Sequence, residues 1–452
     1  QDLKIAIAPS YKQNLNQFPV LYLDMTSFTA RYHGEERVVE RIQSAIAEEL
    51  QELYPSVEMK PGDDLMNMLV RIADYTKQKF ICIIDEWDAI CREAIGDNRL
   101  MDSYVDMLRR LFKGPQSEQV FAGVYMTGIF PIKKYNTESA LNNFVQYTMV
   151  SPGPLAGNLG FTIDEVEALC KSKGLDFEEV KTWYDGYTIG QKEGIFNPNS
   201  VMLAALNGYC DNYWGSTGAY ERVSNYIQLN YDGLKDDVVR MLTGERCLVN
   251  ISRFENDFSL IKSKNDVLTA LIHLGYLAYD AMSQTCFIPN EEVRQVMQNA
   301  VEDASWTEVV RAIQQSERLL QMTLDGNAAV VAKMIDEVHA DNTSVLKYND
   351  ENSLACVLSL AYYTASKYYT ILRELPAGLG FADLVMLPKR NVQKPALVIE
   401  LKWDKTADSA ITQIKEKRYE RNLFAHADEV LLVGINYDKK TKQHSCEIER
   451  IV

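Results

Sequence analysis

Short apolar runs alternate with amphipathic helical segments over the first 150 residues. In chain order, the runs and the helices lie at residues 19–25, 36–53, 64–77, 80–84, 100–112 and 120–127. Each run is apolar throughout, not at every second residue, which is typical of strands that are buried on both faces. Strands that alternate with helices predict a parallel sheet covered by helices on both sides. We therefore expect an α/β domain over residues 1–150.

The rest of the chain divides into three further parts. With 452 residues, the sequence is too long for a single hydrophobic core. Aromatic loops between short helices predict a small helical subdomain at 151–240, and strands mixed with helices predict a second α/β domain at 346–452. Between them, a winged-helix-like unit and further helices form a linker domain at 241–345. The winged-helix pattern comprises a helix at 266–273, strands at 276–280 and 285–289, and a helix that begins near Asn290.

Several classes of protein are disfavoured by composition. No apolar stretch approaches the ~18 residues that a membrane span needs, and no signal peptide is visible. The eight cysteines are scattered without a CxxC pair, which favours a reduced, cytoplasmic protein over a disulfide or zinc framework. None of the five histidines falls in an HExxH pattern, which argues against zinc hydrolase chemistry.

Charge is distributed unevenly along the chain. The net charge is −16, which argues against a protein that coats nucleic acid along its whole surface. From residue 346 onward, however, 16 Lys and Arg stand against 14 Asp and Glu, so this part carries +2. A polyanionic partner would meet the C-terminal domain with much less repulsion than it would meet the rest.

One strand pair in the C-terminal domain brings charged side chains together. Two apolar strands, 381–387 and 395–401, flank a polar turn. Folding the hairpin at the centre of this turn places Asp383 opposite Glu400, about 5 Å apart at Cβ and on the same face. Because strand side chains repeat every two residues, Lys402 shares that face. The sequence therefore predicts two carboxylates and one ammonium group at one end of the hairpin.

This trio suits phosphodiester hydrolysis. Two hard carboxylates, Asp383 and Glu400, can hold Mg²⁺ and leave positions for water and a phosphate oxygen. The metal acidifies bound water, and Lys402 can orient the attacking water. With no cation present, we expect one carboxylate to pair with Lys402. The alternative is a solvated rim with a salt bridge, because Glu-x-Lys triplets also occur at 58–60 and 179–181.

The order of the polar residues adds a family resemblance. They follow one another as Glu351 near a helix start, Asp383, Glu400, Lys402 and Gln413 on the next helix. This string resembles the PD-(D/E)xK nuclease superfamily in its RecB-like form. The resemblance implies a restriction-endonuclease-like α/β fold, with Asp383 and Glu400 as metal ligands and Lys402 as the catalytic lysine. It further implies that Glu351 is a supporting acid and that Gln413 is an orienting residue.

The N-terminal domain carries a second set of candidate residues. The strand at 80–84 ends in Asp85 and Glu86, which has the form of a Walker B strand. In that form Asp85 holds Mg²⁺ through water and Glu86 polarises the water that attacks a γ-phosphate. Thr127 ends the next strand, where a sensor residue would lie between strand tips. The alternative is a buried strand whose acidic end is only solvated.

Further segments extend the resemblance over nearly the whole chain. They lie at residues 85–88, 127–134, 139–143, 183–187 and 213–218. Together they resemble bacterial and archaeal AAA-ATPase-like proteins that carry a PD-(D/E)xK domain at the C-terminus, which implies a P-loop-type ATPase core. No G-x-x-x-x-G-K-[ST] motif occurs in the 452 residues, however. We therefore expect that the chain, which begins with Gln1, lacks its P-loop segment, and that ATP with Mg²⁺ binds only to a longer chain.

Three functions fit these patterns. The favoured one is an ATPase-coupled, Mg²⁺-dependent nuclease that hydrolyses DNA or RNA at its C-terminal domain. The second is a nucleotide-regulated binding or scaffold protein whose nuclease-like domain is inactive. The third is an interaction scaffold whose aromatic-rich middle segment binds protein. The first requires Asp383, Glu400 and Lys402 to point into one cleft, and all three leave a homo-oligomer open.

Overall fold

A computed structural model gives the fold of the chain. It describes residues 4–32, 37–60, 62–93, 98–129, 141, 143–215, 219–229, 231–252, 261–304, 306–342, 357–377, 380–389, 392–417, 423 and 427–451. These residues form two compact units. The first unit comprises Gln1–Ala156 with Ile251–Lys262 and His273–Gly275, and the second comprises Gly157–Asn250, Ser263–Ile272 and Tyr276–Val452.

A three-stranded parallel sheet lies at the centre of the first unit. Its strands are β1 (Val20–Asp24), β2 (Phe80–Asp85) and β3 (Phe121–Met126), in the order β1-β2-β3. In β2, Cys82 and Ile84 are completely buried. The predicted parallel sheet is therefore confirmed, and each of the three apolar runs forms one strand.

Amphipathic helices connect these strands. They are α1 (Tyr11–Asn14), α2 (Met25–Arg31), α3 (Val38–Leu53), α4 (Leu65–Thr76), α5 (Ala89–Glu93), α6 (Asn98–Phe112) and α7 (Pro115–Val120). In α3, Ile42, Ile46 and Leu50 recur every four residues, and all three are buried in the core of this unit. The side chain of Asp64 caps α4 by accepting the backbone N–H of Asn67 over 2.8 Å. Helices α3, α4 and α6 occupy the segments in which the sequence predicts helices, whereas α1, α2, α5 and α7 were not predicted.

The middle of the chain is mainly helical. Its helices are α8 (Ile163–Lys173), α9 (Phe177–Tyr184), α10 (Pro198–Asn207), α11 (Ala219–Ile227), α12 (Leu234–Leu242), α13 (Lys264–His273), α14 (Glu291–Asp303), α15 (Thr307–Leu324) and α16 (Ala328–Asn342). Two small antiparallel sheets accompany them. The first pairs β4 (Tyr187–Ile189) with β5 (Lys192–Ile195), and the second contains β6 (Cys247–Leu248), β7 (Ala278–Asp280) and β8 (Thr285–Phe287).

A helix, two strands and a second helix follow one another between residues 264 and 303, as the sequence predicts. Strands β7 and β8 pair directly, and β6 joins β8 to complete the sheet in the order β6-β8-β7. Gly275 follows α13 with φ +82°, the left-handed conformation in which many helices end.

A five-stranded mixed sheet forms the C-terminal part. Its strands are β9 (Tyr369–Ala377), β10 (Gly380–Pro388), β11 (Ala396–Trp403), β12 (Val430–Asp438) and β13 (Gln443–Ile451), in the order β13-β12-β11-β10-β9. Strands β11 and β12 are parallel and are connected by α17 (Ala407–Lys417), whereas the other neighbours are antiparallel. The predicted α/β domain with a hairpin, a helix and two further strands is therefore confirmed.

The sequence also predicts one helix from Ser353 to about Tyr369, and this prediction is wrong in its second half. Residues 357–361 are helical, but Tyr363–Lys367 form a 3₁₀ turn, and β9 begins at Tyr369. Tertiary contacts fix this turn, because the backbone N–H of Thr364 donates to the buried Ser316 Oγ of α15 over 3.2 Å. Such contacts with a distant helix override a local helical pattern.

The two faces of the C-terminal sheet are covered by different helices. Val398 of β11 packs with Ile411 and Ile414 of α17 in one apolar cluster. Helix α16 packs against β13 through Asp336, which accepts the backbone N–H of His444 over 2.7 Å. Since side chains alternate along a strand, Glu400 and Lys402 lie on the same face as Val398.

Candidate functional site

Glu400 lies near the end of β11 and faces α17. Its side chain is buried, with 2% exposure. From the middle of α17, Gln413 donates its Nε2–H to Glu400 Oε1. Strand side chains return to the same face every two residues, and Val398, two residues before Glu400, packs against α17. The Glu400 carboxylate therefore lies beneath this helix.

Asp383 is joined to the end of β11 through its carboxylate. Strands β10 and β11 pair Leu384 with Ile399, in the register that the sequence predicts. One further step in this register places Asp383 opposite Glu400. The Asp383 Oδ2 atom accepts the backbone N–H of Leu401 over 2.7 Å. This hydrogen bond fixes the carboxylate directly beside the Glu400 position.

Lys402 pairs with Glu400 inside the protein. The Lys402 Nζ atom lies 2.8 Å from Glu400 Oε1, and the two side chains are 9% and 2% exposed. The sequence predicts this pairing when no cation is present. Removing two charges from water is unfavourable unless they compensate each other, and here the ammonium group compensates the buried carboxylate.

Four of the five predicted C-terminal site residues thus meet at one place. Lys402 and Gln413 both donate to Glu400 Oε1, and Asp383 lies one register step away. Glu351, the fifth, lies outside the described residues. Among the residues that the structure describes, no group of three or more His, Cys, Asp or Glu could hold a metal ion. The acidic groups described at this place are Asp383 and Glu400, and carboxylate oxygens are ligands that hard divalent ions prefer.

Gly434 is a site residue that the sequence analysis missed. It pairs with Glu400 in the parallel register of β11 and β12. A Cβ atom at this position would clash with the backbone carbonyl oxygen of Ala407, at the start of α17. The missing side chain therefore lets α17 approach the sheet closely enough for Gln413 to contact Glu400. A glycine inside an otherwise apolar strand is the signal that could have revealed it.

Two buried histidines lie on the opposite face of the same strand ends. His339 Nδ1 of α16 is 3.3 Å from His444 Nε2 of β13, and His444 Nδ1 is 2.7 Å from Asp336 Oδ1. Burial, followed by the nearby His444, lowers the pKa of His339 to about 4. Burial also lowers the pKa of His444, although its hydrogen bond to Asp336 opposes that shift. Both imidazoles are therefore neutral near pH 7.

Three aromatic-rich segments of the middle region meet at the start of α14. Glu292 at the start of α14 accepts the hydroxyl of Ser200, over 2.9 Å and 2.8 Å to its two oxygens, and the backbone N–H of Trp214 over 2.8 Å. Asn290 donates to the backbone carbonyl of Asp185 over 2.9 Å. Burial raises the pKa of Glu292. These motifs thus hold the middle region together through hydrogen bonds.

The predicted nucleotide-site residues meet at the ends of β2 and β3. Thr127 donates its hydroxyl to Asp85 Oδ1, and Tyr22 of β1 donates its hydroxyl to Asp85 Oδ2 over 3.0 Å. The hydrogen bond to Asp85 raises the pKa of Tyr22. The sequence prediction that Asp85 and Thr127 lie at adjacent strand tips is therefore confirmed.

Glu86 is held by an arginine that the sequence analysis did not identify. Arg92 donates to Glu86 Oε2 over 2.6 Å and to Asp88 Oδ1 over 2.9 Å. Glu86 itself has φ +53°, a conformation that a residue with a side chain rarely adopts. Arg92 follows Asp88, the third acid of Asp85-Glu-Trp-Asp88, by four positions, which is a local helix spacing that could have been noticed.

Comparisons with known proteins agree with this architecture. Residues 1–137 match the model of the family described as Predicted AAA-ATPase, and residues 349–447 match that of the PD-(D/E)XK nuclease superfamily. An uncharacterized protein in the vnfD 5′ region of Azotobacter chroococcum mcd 1 is 25% identical over 146 residues, which make up 31% of this chain and 27% of that relative. None of the described helices has the length and apolar composition that a membrane span requires.

A comparison with solved structures adds no further argument. The structure of the Aeropyrum Pernix ORC2 protein in its ADPNP–ADP complexes is 9% identical and covers 64% of this chain and 89% of its own, with a TM-score of 0.17. The family matches rest on the sequence, and the parallel sheet β1–β3 and the mixed sheet β9–β13 agree with them. The chain combines an AAA-ATPase-like domain at residues 1–137 with a domain of the PD-(D/E)XK nuclease superfamily at residues 349–447.

Proposed function

We propose that the protein is a metal-dependent nuclease that hydrolyses a phosphodiester bond of DNA or RNA at the C-terminal sheet. The observation that carries this proposal is the convergence of Lys402 and Gln413 on the Glu400 carboxylate, one register step from Asp383. A surface salt bridge would not need a buried carboxylate beneath a helix. The superfamily match over the same residues supports the assignment.

In this proposal Asp383 and Glu400 hold one divalent ion, which we propose is Mg²⁺. When bound, the ion supplies an acidified water and neutralises charge that develops on phosphorus. The backbone N–H of Leu401 donates to Asp383 Oδ2 and holds this carboxylate at the end of β11, beside Glu400.

Lys402 and Gln413 have different tasks. The ammonium group of Lys402 donates hydrogen bonds and lies beside the carboxylates, where it can orient the attacking water and stabilise charge on the phosphate. Gln413 acts through Glu400 and is a positioning residue, since its amide fixes the direction of that carboxylate. We propose that Glu351 is a further supporting acid.

We further propose that the N-terminal domain, when a phosphate-binding loop completes it, couples nucleotide hydrolysis to cleavage. Asp85 would bind Mg²⁺ of ATP through water, Glu86 would polarise the attacking water, and Thr127 would contact the γ-phosphate. The contacts of Asp85 with Thr127 and of Glu86 with Arg92 support this assignment, because they place all three side chains at one sheet edge.

The proposal is tested by incubating the full chain with end-labelled single- and double-stranded DNA and RNA, with Mg²⁺ or with a chelator. Asp383→Asn and Glu400→Gln keep the shape of each side chain and remove its charge. We expect either change to lower the cleavage rate by more than about a hundredfold, and Gln413→Ala to lower it about 10- to 100-fold.

Glu416→Gln is the matched control. Glu416 is an exposed carboxylate on the same helix as Gln413, and its replacement should leave the cleavage rate unchanged. Cleavage by the Asp383→Asn variant at the parental rate would overturn the proposed site. If the parent binds nucleic acid but cuts no substrate under any condition, the protein is instead the binding protein with an inactive nuclease-like domain.

A further inference from the structure

The strands that carry the candidate nuclease site end at the same edge of the sheet as a lysine-rich turn. Strands β11 and β12 are parallel, and their register pairs Lys402 with Asn436. The turn that connects β12 to β13 begins at Lys439, three residues after Asn436. We define the basic turn as the exposed residues Lys405, Lys439, Lys440 and Lys442.

Asp404 anchors this turn to the end of β11, and Asp438 holds the backbone within the turn. Asp404 has φ +53°, and its backbone N–H donates to the carbonyl of Tyr437 over 2.8 Å. Its Oδ1 atom accepts the backbone N–H of Lys439 over 2.7 Å. Asp438 Oδ1 accepts the backbone N–H groups of Lys440 and Thr441 over 2.8 Å and 3.0 Å. Both carboxylates therefore bind backbone amides.

The lysine side chains of the basic turn have no such role. In the part of the chain that the structure describes, none of their four ammonium groups lies within salt-bridge distance of a carboxylate. All four side chains are exposed, in a protein whose net charge is −16. Four exposed cations without a salt bridge to a described carboxylate are suited to bind an external anion.

The spacing between the turn and the site fits a nucleic-acid strand. Lys439 follows Asn436 by three residues, so its backbone lies roughly 10 Å beyond the level of Lys402 along the strand direction. Successive phosphates of one strand in duplex DNA are about 3.4 Å apart along the axis, so about three nucleotides cover this distance. A strand bound at the site would thus pass the basic turn.

We infer that the basic turn binds the phosphate backbone of the nucleic acid beside the bond that is cut. This inference rests on the proposed nuclease function, which places the nucleic acid at the C-terminal site. That the turn binds phosphate is inferred from its exposed lysines. Lysines bind phosphates as point charges and read no base sequence, so the turn contributes affinity and register.

The test measures binding by the full chain, separately from cleavage. Fluorescence anisotropy with short labelled DNA and RNA is recorded without divalent ions, at salt concentrations from ~50 to ~200 mM. We expect the triple variant Lys439→Gln/Lys440→Gln/Lys442→Gln to bind at least about tenfold more weakly. The slope of log affinity against log salt should become shallower by about 2 to 3, because each lost phosphate contact removes ~0.7–0.9 of slope.

Lys171→Gln/Lys173→Gln/Lys181→Gln is the matched control, since it removes the same charge from exposed lysines of α8 and α9. Its affinity and slope should equal those of the parent. Equal losses in both triple variants, unchanged binding by the turn variant, or no binding by the parent would each overturn the inference. If the parent binds through the turn but never cuts, only the proposed nuclease activity fails.

Discussion

At the residue scale, the ion pair between Lys402 and Glu400 is the main energetic feature of the candidate site. A buried ion pair adds little net stability compared with an apolar pair of the same shape, but loss of one partner leaves the other charge buried and uncompensated. The exposures of 9% and 2% place this pair in that regime. Such a pair therefore contributes little net stability to the fold, although the loss of either partner is costly.

We expect Lys402→Met to destabilise the protein more than its loss of volume suggests. The change leaves the Glu400 carboxylate buried without its cation, which costs about 3–5 kcal/mol of the free energy of unfolding. Urea denaturation of the parent and the variant at pH ~7 measures this cost.

The double variant Lys402→Met/Glu400→Gln serves as the control, since it removes both charges. It should recover most of the lost stability. If Lys402→Met alone costs less than ~0.5 kcal/mol, the pair does not compensate a buried charge, and the geometry described for the site is wrong.

Some site residues could be predicted from the sequence, whereas others could not. Glu400 and Lys402 follow from the two-residue period of a strand, and Asp383 follows from the register of a hairpin. Arg92 could not be assigned to Glu86, because that contact depends on the left-handed backbone at Glu86. A glycine inside an apolar strand marks the position of Gly434, but its role could not be assigned, because that role appears only when α17 lies across it.

At the scale of the elements, the approach of α17 to β12 sets the position of Gln413. We expect Gly434→Ala to push the helix away from the sheet, because the added methyl group would meet a backbone oxygen that cannot rotate aside. Overpacking of this kind costs about 1–3 kcal/mol. Thermal denaturation measures the loss of stability, and the cleavage assay measures the displacement of Gln413.

Gly123→Ala provides the comparison for this change. Gly123 also lies inside a strand, but its added Cβ would be 3.4 Å from the flexible Ile81 side chain. This variant should keep both stability and cleavage. If Gly434→Ala cuts at the parental rate, the close approach of α17 has no part in organising the site.

The contact between α16 and β13 should make stability depend on pH. The pKa of His339 is lowered from its usual value near 6.5 to about 4, so the folded state binds fewer protons than the unfolded state between these values. The contribution of His339 is complete above pH ~6.5 and declines as the pH falls toward 4. Between pH ~7 and ~4.5 we expect a loss of about 2 kcal/mol from this group.

The variant His339→Gln isolates that contribution. Carboxyl groups titrate in the same pH range, so the relevant quantity is the difference between the parent and the variant in urea denaturation. The parent should lose about 2 kcal/mol more than the variant on acidification. Equal pH profiles would mean that His339 is not buried in its neutral form.

Strand β9 shows where prediction of elements from sequence reaches its limit. The segment before it is rich in tyrosine and alanine and fits a helix, yet Tyr362 and Thr364 are bound by hydroxyl groups of α15. These partners lie 39 and 48 residues away in sequence. By contrast, the apolar runs that became β1, β2 and β3 needed no distant information, because a strand buried on both faces is apolar throughout.

At the scale of the whole molecule, the sequence predicts four parts, whereas the structure shows two compact units. The four-part division at residues 150, 240 and 345 remains a prediction, whereas the described residues form two compact units. The hydrogen bonds of Glu292 give one physical reason, since they connect Ser200 and Trp214 to a residue that lies 92 and 78 positions later in the chain. The sequence shows the segments that contain Ser200 and Trp214, but it does not show that both contact the Glu292 carboxylate.

Nucleotide binding by a P-loop-type domain needs a phosphate-binding loop in addition to the acidic strand end at Asp85. No G-x-x-x-x-G-K-[ST] motif occurs in the 452 residues, so no glycine-rich loop supplies backbone N–H groups to the phosphates. Both oxygens of Asp85 already accept hydroxyl groups. We expect calorimetry of this chain with Mg-ATP to give no affinity in the micromolar range. A micromolar dissociation constant would show that other residues hold the phosphates.

The alternation of side chains along β11 limits how this part of the gene can change. Glu400 and Lys402 face α17, while Trp403 contacts Tyr437 on the face that carries the histidines. Insertion or deletion of one codon within β11 would exchange the residues on its two faces. The charged side chains of Glu400 and Lys402 would then be buried among aromatic rings. Length changes in the polar turn between β10 and β11 would leave the order of faces intact. We therefore expect natural length variation in this domain to occur in that turn and to be absent from β11.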